Sequence, residues 1–152
     1  MICAVRARAA ARGITASFVL HTEKSHLMRI GNNSVSLNTT EVLTRLDIEV
    51  INGRRTGVHS QTGDVTSEEY IEKALQIAVE KAEVASEKSY QPIPDQVEIS
   101  VCEDSQYDKA LEQVDPSFKA DAYKRIINEV GADYNFSGSW SSGSVELFMV
   151  ST

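Results

Sequence analysis

The stretch VLTRLDIEVINGRRTGVHSQ, residues 42–61, decides the fold of this chain. In its first half, apolar side chains recur at every second position, and charged side chains fill most positions between them. The apolar face holds Val42, Leu46, Ile48 and Val50 together with Thr44, and the charged face holds Arg45, Asp47 and Glu49. This alternation predicts an antiparallel strand with one buried face and one solvated face.

The dipeptide Asn52-Gly53 follows this strand and predicts a tight turn. Both central residues of a type I′ hairpin turn need positive φ, which Asn and Gly adopt readily, so RRTGVHSQ is predicted to return as the partner strand. Arg54 and Arg55 then fall on opposite faces of the return strand and do not form one phosphate clamp. Gly57 offers a place where another backbone comes close.

The residues before this hairpin predict further strands. ITASFVLHT, SHLMRI and SVSLNTT are rich in β-branched residues, and EKS and GNN supply turn residues between them. Together with residues 42–61 they predict an antiparallel meander of four or five strands. Residues 1–13 predict a short helix that ends at Gly13. Residues 1–22 also contain Arg6, Arg8 and Arg12 and no acidic residue, which is the character of an organelle-targeting segment, and this alternative stays open.

The pattern changes at Asp64, where TSEEYIEKALQIAVEKAEVASEK predicts an alanine-rich helix. Thr66 and Glu69 have the spacing of a capping box. One apolar stripe recurs at helical spacing, and the meander is the surface that it covers. The stripe consists of Ile71, Leu75, Ala78, Val79, Ala82 and Ala85.

The last third of the chain predicts a strand, a helix and a hairpin. SYQPIPDQ is a proline-containing linker, and VEISVC alternates as a strand does. Asp115-Pro116 predicts a helix start and Gly131 its end, with a buried face formed by Phe118, Ala122, Ile126, Ile127 and Val130. ADYNFSGSW and SVELFMVST predict a closing hairpin, and its last strand stops at Thr152 without a cap or tail, as in a chain cut from a longer one. The predicted fold class is α+β, in one domain over residues 1–152.

Composition excludes several classes of protein. The chain has 152 residues, of which 41% are hydrophobic and 24% charged, as in an ordinary globular domain. Its net charge of −7 argues against general nucleic-acid binding. Cys3 and Cys102 are the only cysteines and make no disulfide framework, which favours a cytoplasmic location. No apolar run approaches the roughly 18 residues of a membrane span.

No catalytic or metal-binding constellation is visible in the sequence. His21, His26 and His59 lack the spacing of an HExxH zinc site. The nucleophile elbow, the Walker A loop and the dinucleotide fingerprint are absent. SGSWSSGS, residues 137–144, lacks the lysine of a phosphate cradle and precedes a predicted strand rather than a helix, so a hairpin loop explains it better. Cys102 is predicted to be a small strand residue.

Residues 14–95 resemble the N-terminal domain of the TldD/PmbA family, whose members are named as modulators of DNA gyrase. The resemblance lies in the order and spacing of HLMRIGNNSVSLNTTE, LDIEVINGRRTGVHSQTGDVTSEEYIEKALQIAVEKAEVA and PIPD. Residues 96–152 resemble the more variable stretch that follows. The family often has a glycine-rich approach to the hairpin, where this chain has TTEVLTRLDIEV. This difference favours the PmbA-like branch slightly and leaves the branch open.

The resemblance implies a part of a zinc metallopeptidase, a hydrolase that works as a homodimer or heterodimer on peptides. The family's zinc motif, an HExxxH helix with a later cysteine, lies in the C-terminal half. No residue of this chain matches it, so no catalytic residue, metal ligand or cofactor is carried over. The leading hypothesis is a non-catalytic N-terminal domain that contributes to subunit assembly and to access of an extended peptide.

An exposed sheet edge is predicted to accept such a peptide by β-augmentation. The residues of this predicted peptide edge or interface are Arg54, Arg55, Gly57 and His59, next to the turn residues Asn52 and Gly53. A second hypothesis is a free-standing protein-binding module that acts on a protein such as gyrase. A third is a nucleic-acid contact through Arg45, Arg54 and Arg55.

Overall fold

A computed structural model describes residues 1–63, 65, 67–92, 108–112, 114–131 and 133–152. Among these residues, four strands form one antiparallel sheet in the order β3-β2-β1-β4. The strands are β1 (Thr15–Gly31), β2 (Ser34–Asn52), β3 (Arg55–Thr62) and β4 (Gly138–Ser151). The helices are α1 (Ile2–Ala11), α2 (Glu68–Val84), α3 (Lys109–Glu112) and α4 (Pro116–Val130). The predicted α+β class is confirmed. The predicted strand VEISVC lies outside the described residues.

Residues 15–62 form three strands, which are fewer and longer than the strands that the sequence predicted. β1 continues through EKS, so the predicted turn at EKS is wrong. β2 joins SVSLNTT to VLTRLDIEVI without a break, so the two predicted strands are one. Polar residues alone do not end a strand, because a solvated edge or face accommodates them. The turn predicted at GNN is confirmed: Asn32 and Asn33 both have positive φ, of 50° and 56°. These values are typical of the type I′ turn.

The β2–β3 hairpin is confirmed, but its turn lies one residue later than predicted. Asn52 pairs with Arg55, so the two central residues are Gly53 and Arg54. Only Gly53 has positive φ, of 60°, which is the signature of a type II′ turn rather than type I′. Glycine at the first central position meets the conformational demand of type II′, and Asn52 remains a strand residue.

The chain divides into two compact units, of which the first comprises Met1–Thr22, Leu43–Ser100 and Glu146–Thr152. In the core of this unit, alternate residues of β1 and β2 pack against one side of α1 and one side of α2. The predicted charged face of β2 is half-buried, and its apolar face is buried only at Leu46, Ile48 and Val50. The prediction that Val42 belongs to this buried face is wrong, because Val42 is 71% exposed and lies before the part of β2 that the core covers. The buried core residues are Ile2, Val5, Ala9, Ala16, Phe18, Leu46, Ile48, Val50, Ile71, Ala74, Leu75, Ala78 and Ala82.

Both predicted helices of this unit are confirmed, with one correction at a cap. α2 begins after Ser67, whose hydroxyl accepts a hydrogen bond from the Tyr70 backbone N–H at 3.1 Å. The predicted N-cap at Thr66 is therefore wrong by one residue, because the side chain of Ser67 meets the unpaired amide instead. α1 is joined to α2 by ion pairs: Arg8 lies 2.9 Å from Glu68. Hydrogen bonding to Glu68 raises the pKa of the Arg8 guanidinium.

The second unit comprises Glu23–Val42 and Val101–Val145. The ends of its helix α4 are confirmed: the Asp115 carboxylate accepts a hydrogen bond from the Ser117 backbone N–H at 2.8 Å, and Gly131 closes the helix with φ of 77°. The backbone N–H and hydroxyl of Ser117 lower the pKa of Asp115. Such a capping bond satisfies an amide that has no partner within the helix.

The face that α4 buries was predicted wrongly. Phe118 is 51% exposed and Ile126 is 37% exposed, whereas Lys119 is only 3% exposed. The Lys119 ammonium donates to the carbonyl of His26 at 3.1 Å, and the Tyr123 hydroxyl donates to the carbonyl of Asn33 at 2.7 Å. These long polar side chains reach backbone carbonyls of the β1–β2 hairpin, which sets the orientation of α4. Desolvation lowers the pKa of Lys119.

The predicted C-terminal hairpin is wrong, because Gly138–Ser151 forms the single strand β4 beside β1. Gly143 serves packing rather than a turn. A Cβ at this position would overlap the carbonyl oxygen of Lys24 and lie 2.8 Å from the Cα of Ser25. Near its end, β4 is held by the Thr152 backbone N–H, which donates to the carbonyl of Ala16 at 3.0 Å. No helix among the described residues is long and apolar enough to span a membrane.

Candidate peptide-binding edge

The strand β3 carries most of the residues predicted to form a site, and it lies at an edge of the sheet. A hydrogen-bonded pair closes a two-residue turn, so Arg55 exchanges backbone hydrogen bonds with Asn52. Alternate residues from Arg55 onward therefore face β2. The N–H and C=O groups that point away from β2 belong to Thr56, Val58, Ser60 and Thr62.

Gly57 lies beneath α2 and is buried. A Cβ on Gly57 would overlap the carbonyl oxygen of Ala78 and the backbone nitrogen of Ala82. A residue without a side chain is needed wherever two backbones approach so closely. Gly57 thus places α2 against β3.

The first residues of β3 are covered by the end of α2. The Arg55 guanidinium donates to the carbonyl of Glu83 at 3.1 Å and lies 3.5 Å from the Glu87 carboxylate. The backbone N–H of Lys88 donates to the carbonyl of Arg54 at 2.8 Å. A cation at the last carbonyls of a helix is favourable, because the helix dipole is negative there. Arg55 therefore holds α2, and no described residue binds the Arg54 side chain.

The three arginines of the nucleic-acid hypothesis do not come together. Arg45 pairs with the Asp47 carboxylate at 2.9 Å. Arg45 lies opposite Thr62, at the other end of the β2–β3 ladder from Arg55. The two positions are seven residue steps apart along β2, which corresponds to about 23 Å of strand. The geometry does not combine these side chains into one basic surface.

The later residues of β3 leave the edge accessible. We call residues 58–62 of β3 the open edge. Val58 is 50% exposed, and both Ser60 and Thr62 are exposed. His59 is half-buried and its Nε2 lies 3.2 Å from the Oε1 of Gln61, so this histidine is held within the strand. Among the described residues, the open edge has its backbone groups available for pairing, apart from one carbonyl.

That carbonyl belongs to Val58 and accepts a hydrogen bond from the ammonium of Lys81 at 2.9 Å. Lys81 was not predicted from the sequence as a site residue. Lysine often protects an edge strand from pairing with another chain, so a lysine near β3 is a sequence signal for such an edge. The signal becomes specific only when the packing of α2 on β3 brings residue 81 to residue 58.

The side chains that could bind a metal ion are dispersed among the described residues. Among the described residues, no group of three or more His, Cys, Asp and Glu side chains lies close enough to hold a metal ion. The imidazole Nδ1 of His26 lies 2.7 Å from the hydroxyl of Thr40. The chemistry that the described site offers is therefore backbone hydrogen bonding along an edge, with one ammonium beside it.

Solved structures share this fold. TldE from Thermococcus kodakarensis matches with a TM-score of 0.68 and 14% identity over 90% of this chain and 33% of that chain. A candidate DNA gyrase modulator from Thermotoga maritima matches with a TM-score of 0.71 and 14% identity over 99% of this chain and 34% of that chain. Another, from Bacteroides thetaiotaomicron, matches with a TM-score of 0.75 and 12% identity over 98% of this chain and 36% of that chain.

These matches cover nearly the whole chain but only about a third of each solved protein. No family model and no curated protein matches the sequence. At 12–14% identity, the matches establish a shared fold. The resemblance to the TldD/PmbA family is confirmed at the level of the fold.

Proposed function

From the fold that this chain shares with TldE and with candidate gyrase modulators, we propose that it forms the non-catalytic N-terminal part of a TldD/PmbA-type metallopeptidase. Its role is to contribute to subunit assembly and to guide an extended peptide. The observation that carries this proposal is the coverage of the structural match, which spans almost all of this chain and about a third of each longer protein. The catalytic zinc then belongs to the other part of such a peptidase.

The open edge supports the peptide-guiding role. Ser60 and Thr62 direct backbone donors and acceptors away from β2 and are exposed. An extended peptide that adds to such an edge is bound through its main chain, so affinity depends little on its sequence. This mode suits a peptidase that accepts varied peptides.

The opposite edge of the sheet supports the assembly role. β4 lies at this edge, and Leu147, Phe148 and Met149 are 54%, 43% and 64% exposed. Leu147 and Met149 lie on one face of β4 and Phe148 on the other, and such exposed apolar residues on an edge strand favour a contact surface. We assign this surface to the zinc-bearing part of a TldD/PmbA-type subunit, because about two thirds of TldE lies outside the matched region.

The assembly role is tested by mixing this chain with a purified TldD/PmbA-type subunit from the same source. Light scattering coupled to size-exclusion chromatography is expected to detect a complex. The double variant Leu147→Ser and Met149→Ser is expected to weaken the complex at least about tenfold, which corresponds to about 1.4 kcal/mol. The control is Val84→Ser, because Val84 is apolar and 86% exposed but lies on α2. Failure of the unmodified chain to associate contradicts the assembly role.

The peptide-guiding role is tested by substitution at residue 60. Ser60→Pro removes an outward N–H that an added strand needs, while the ladder to β2 remains. Ser60→Ala is the matched control, since it removes the hydroxyl and keeps the N–H. Fluorescence anisotropy with a labelled extended peptide is expected to show binding to the Ser60→Ala variant and loss of binding to the Ser60→Pro variant. Equal binding by the two variants contradicts the edge mechanism.

The names of two matched proteins favour a second function, a protein-binding module that acts on DNA gyrase. Purified gyrase provides its test. Calorimetry that detects binding to gyrase and none to the TldD/PmbA-type subunit would replace the first proposal with this one.

A further inference from the structure

The cation at the open edge is Lys81. Its ammonium donates to the Val58 carbonyl at 2.9 Å, and Lys81 itself is exposed. No described carboxylate forms an ion pair with Lys81, in contrast to Arg8, Arg12, Arg45 and Arg55. An ammonium has three N–H donors, and the Val58 carbonyl uses one of them. Two donors remain for a ligand.

This contact changes how far a peptide strand can pair with β3. An added strand would donate one of its N–H groups to the outward carbonyl of Val58, where the Lys81 ammonium already lies. The outward groups of Ser60 and Thr62 have no such competitor among the described residues. A peptide that pairs from residue 62 toward residue 58 runs antiparallel to β3 and meets a positive charge at Val58.

Resting on the proposed peptide-binding function, we propose that Lys81 recognises a carboxylate at the end of the added strand, namely the free C-terminus of a peptide antiparallel to β3. The contact between Lys81 and the Val58 carbonyl lies at the edge itself, where the backbone of an added strand runs. A carboxylate there receives the two remaining ammonium donors, and such charge-assisted bonds are stronger than neutral ones.

The neighbouring charges favour a main-chain carboxylate over an acidic side chain on the outer face of the sheet. Glu49 pairs with Val58, and Asp47 pairs with Ser60. Side chains of directly paired residues lie on the same face, so a peptide side chain on that face would lie one strand beyond Val58 and Ser60, on the same side of the sheet as these two carboxylates. A terminal carboxylate at the edge avoids them and reaches Lys81.

The test uses an acetylated peptide of alternating threonine and valine in three forms: a free C-terminal acid, a C-terminal amide, and an amide with glutamate as the last residue. Binding is measured by calorimetry at low salt. The free acid is expected to bind about fivefold more tightly than the amide, which corresponds to about 1 kcal/mol for an exposed charge pair. The glutamate peptide distinguishes a side-chain carboxylate from the main-chain one as the group that Lys81 binds.

Lys81→Met assigns the effect to Lys81, with Lys73→Met as the matched control because it removes the same charge from α2. Lys81→Met is expected to abolish the preference for the free acid without weakening binding of the amide, since the Val58 carbonyl becomes available. Lys73→Met is expected to retain the preference. If the acid and the amide bind equally, the carboxylate assignment is wrong and the peptide edge stands. If none of the three peptides binds, the proposed peptide-guiding role itself is wrong, while the assembly role keeps its own test.

Discussion

Replacing Gly57 by alanine tests whether α2 packs directly on the backbone of β3. The added Cβ would overlap the Ala78 carbonyl oxygen and the Ala82 nitrogen, and it would lie 2.9 Å from the Ala82 Cα. Ordinary van der Waals contact begins at 3.4 Å. All three atoms belong to the helix backbone, so no side-chain rotation relieves the overlap. The helix must move away from the sheet.

The loss in free energy of unfolding for Gly57→Ala follows from the core contacts that this movement of α2 disrupts. An added methylene in a packed core usually costs about 1–3 kcal/mol, and the rigid backbone neighbours place the cost of Gly57→Ala at about 3 kcal/mol. The helix contributes Ile71, Leu75 and Ala78 to the core, and all three are at most 1% exposed. For a chain of this size, about 3 kcal/mol lowers the melting temperature by about 6–12 °C.

Urea unfolding followed by far-ultraviolet circular dichroism measures this change in the free energy of unfolding. Gly31→Ala is the control, because Gly31 is also a strand glycine and its added Cβ would lie 4.0 Å from the Ser36 hydroxyl oxygen, without overlap. The control is expected to change stability by less than about 0.5 kcal/mol. A loss for Gly57→Ala no larger than that of the control would refute the close packing of α2 on β3.

Three further predictions concern other parts of the chain. Ser67→Ala removes the acceptor for the Tyr70 N–H and is expected to cost about 1 kcal/mol in urea unfolding, with Ser67→Asp restoring it. Gly143→Ala places a methyl group against the β1 backbone and is expected to cost about 1–3 kcal/mol, measured in the same way. The pKa of Lys119 is lowered in the folded state, so the Lys119 amine of the unfolded chain binds a proton more tightly than that of the folded chain. The contribution of Lys119 to stability therefore rises as the pH approaches 10.5, the ordinary pKa of a lysine. Lys119→Met is expected to abolish that rise, and an unchanged difference in unfolding free energy between neutral and alkaline pH would contradict the burial of this amine.

Local chemistry made much of the fold predictable. The alternation in residues 42–51 identified the buried face of β2, where Leu46 and Ile48 are fully buried. The spacing of apolar residues identified α2 and its buried side, and Asp115-Pro116 with Gly131 located both ends of α4. These signals work because side-chain periodicity, caps and positive φ depend on residues within a turn or two of each other.

The candidate site was predictable only in part. The sequence identified the strand RRTGVHSQ as a possible peptide edge, and the structure places β3 at an edge of the sheet. Within β3, Arg55 binds the end of α2 and His59 contacts Gln61. Gly57 lies beneath α2, where another backbone comes close, as its missing side chain predicted. The open edge begins only at Val58, because the end of α2 covers the residues before it.

The sequence by itself determined which segments become helices and which side of β2 is buried. Only the tertiary structure decided that EKS continues a strand, that residues 138–151 form one strand beside β1, and that Lys119 rather than Phe118 is buried. It also decided that Lys81 reaches the carbonyl of Val58. The physical reason is that each of these features depends on a partner distant in sequence. A strand gains its ladder, and a buried amine its carbonyl, only when the fold has brought the two together.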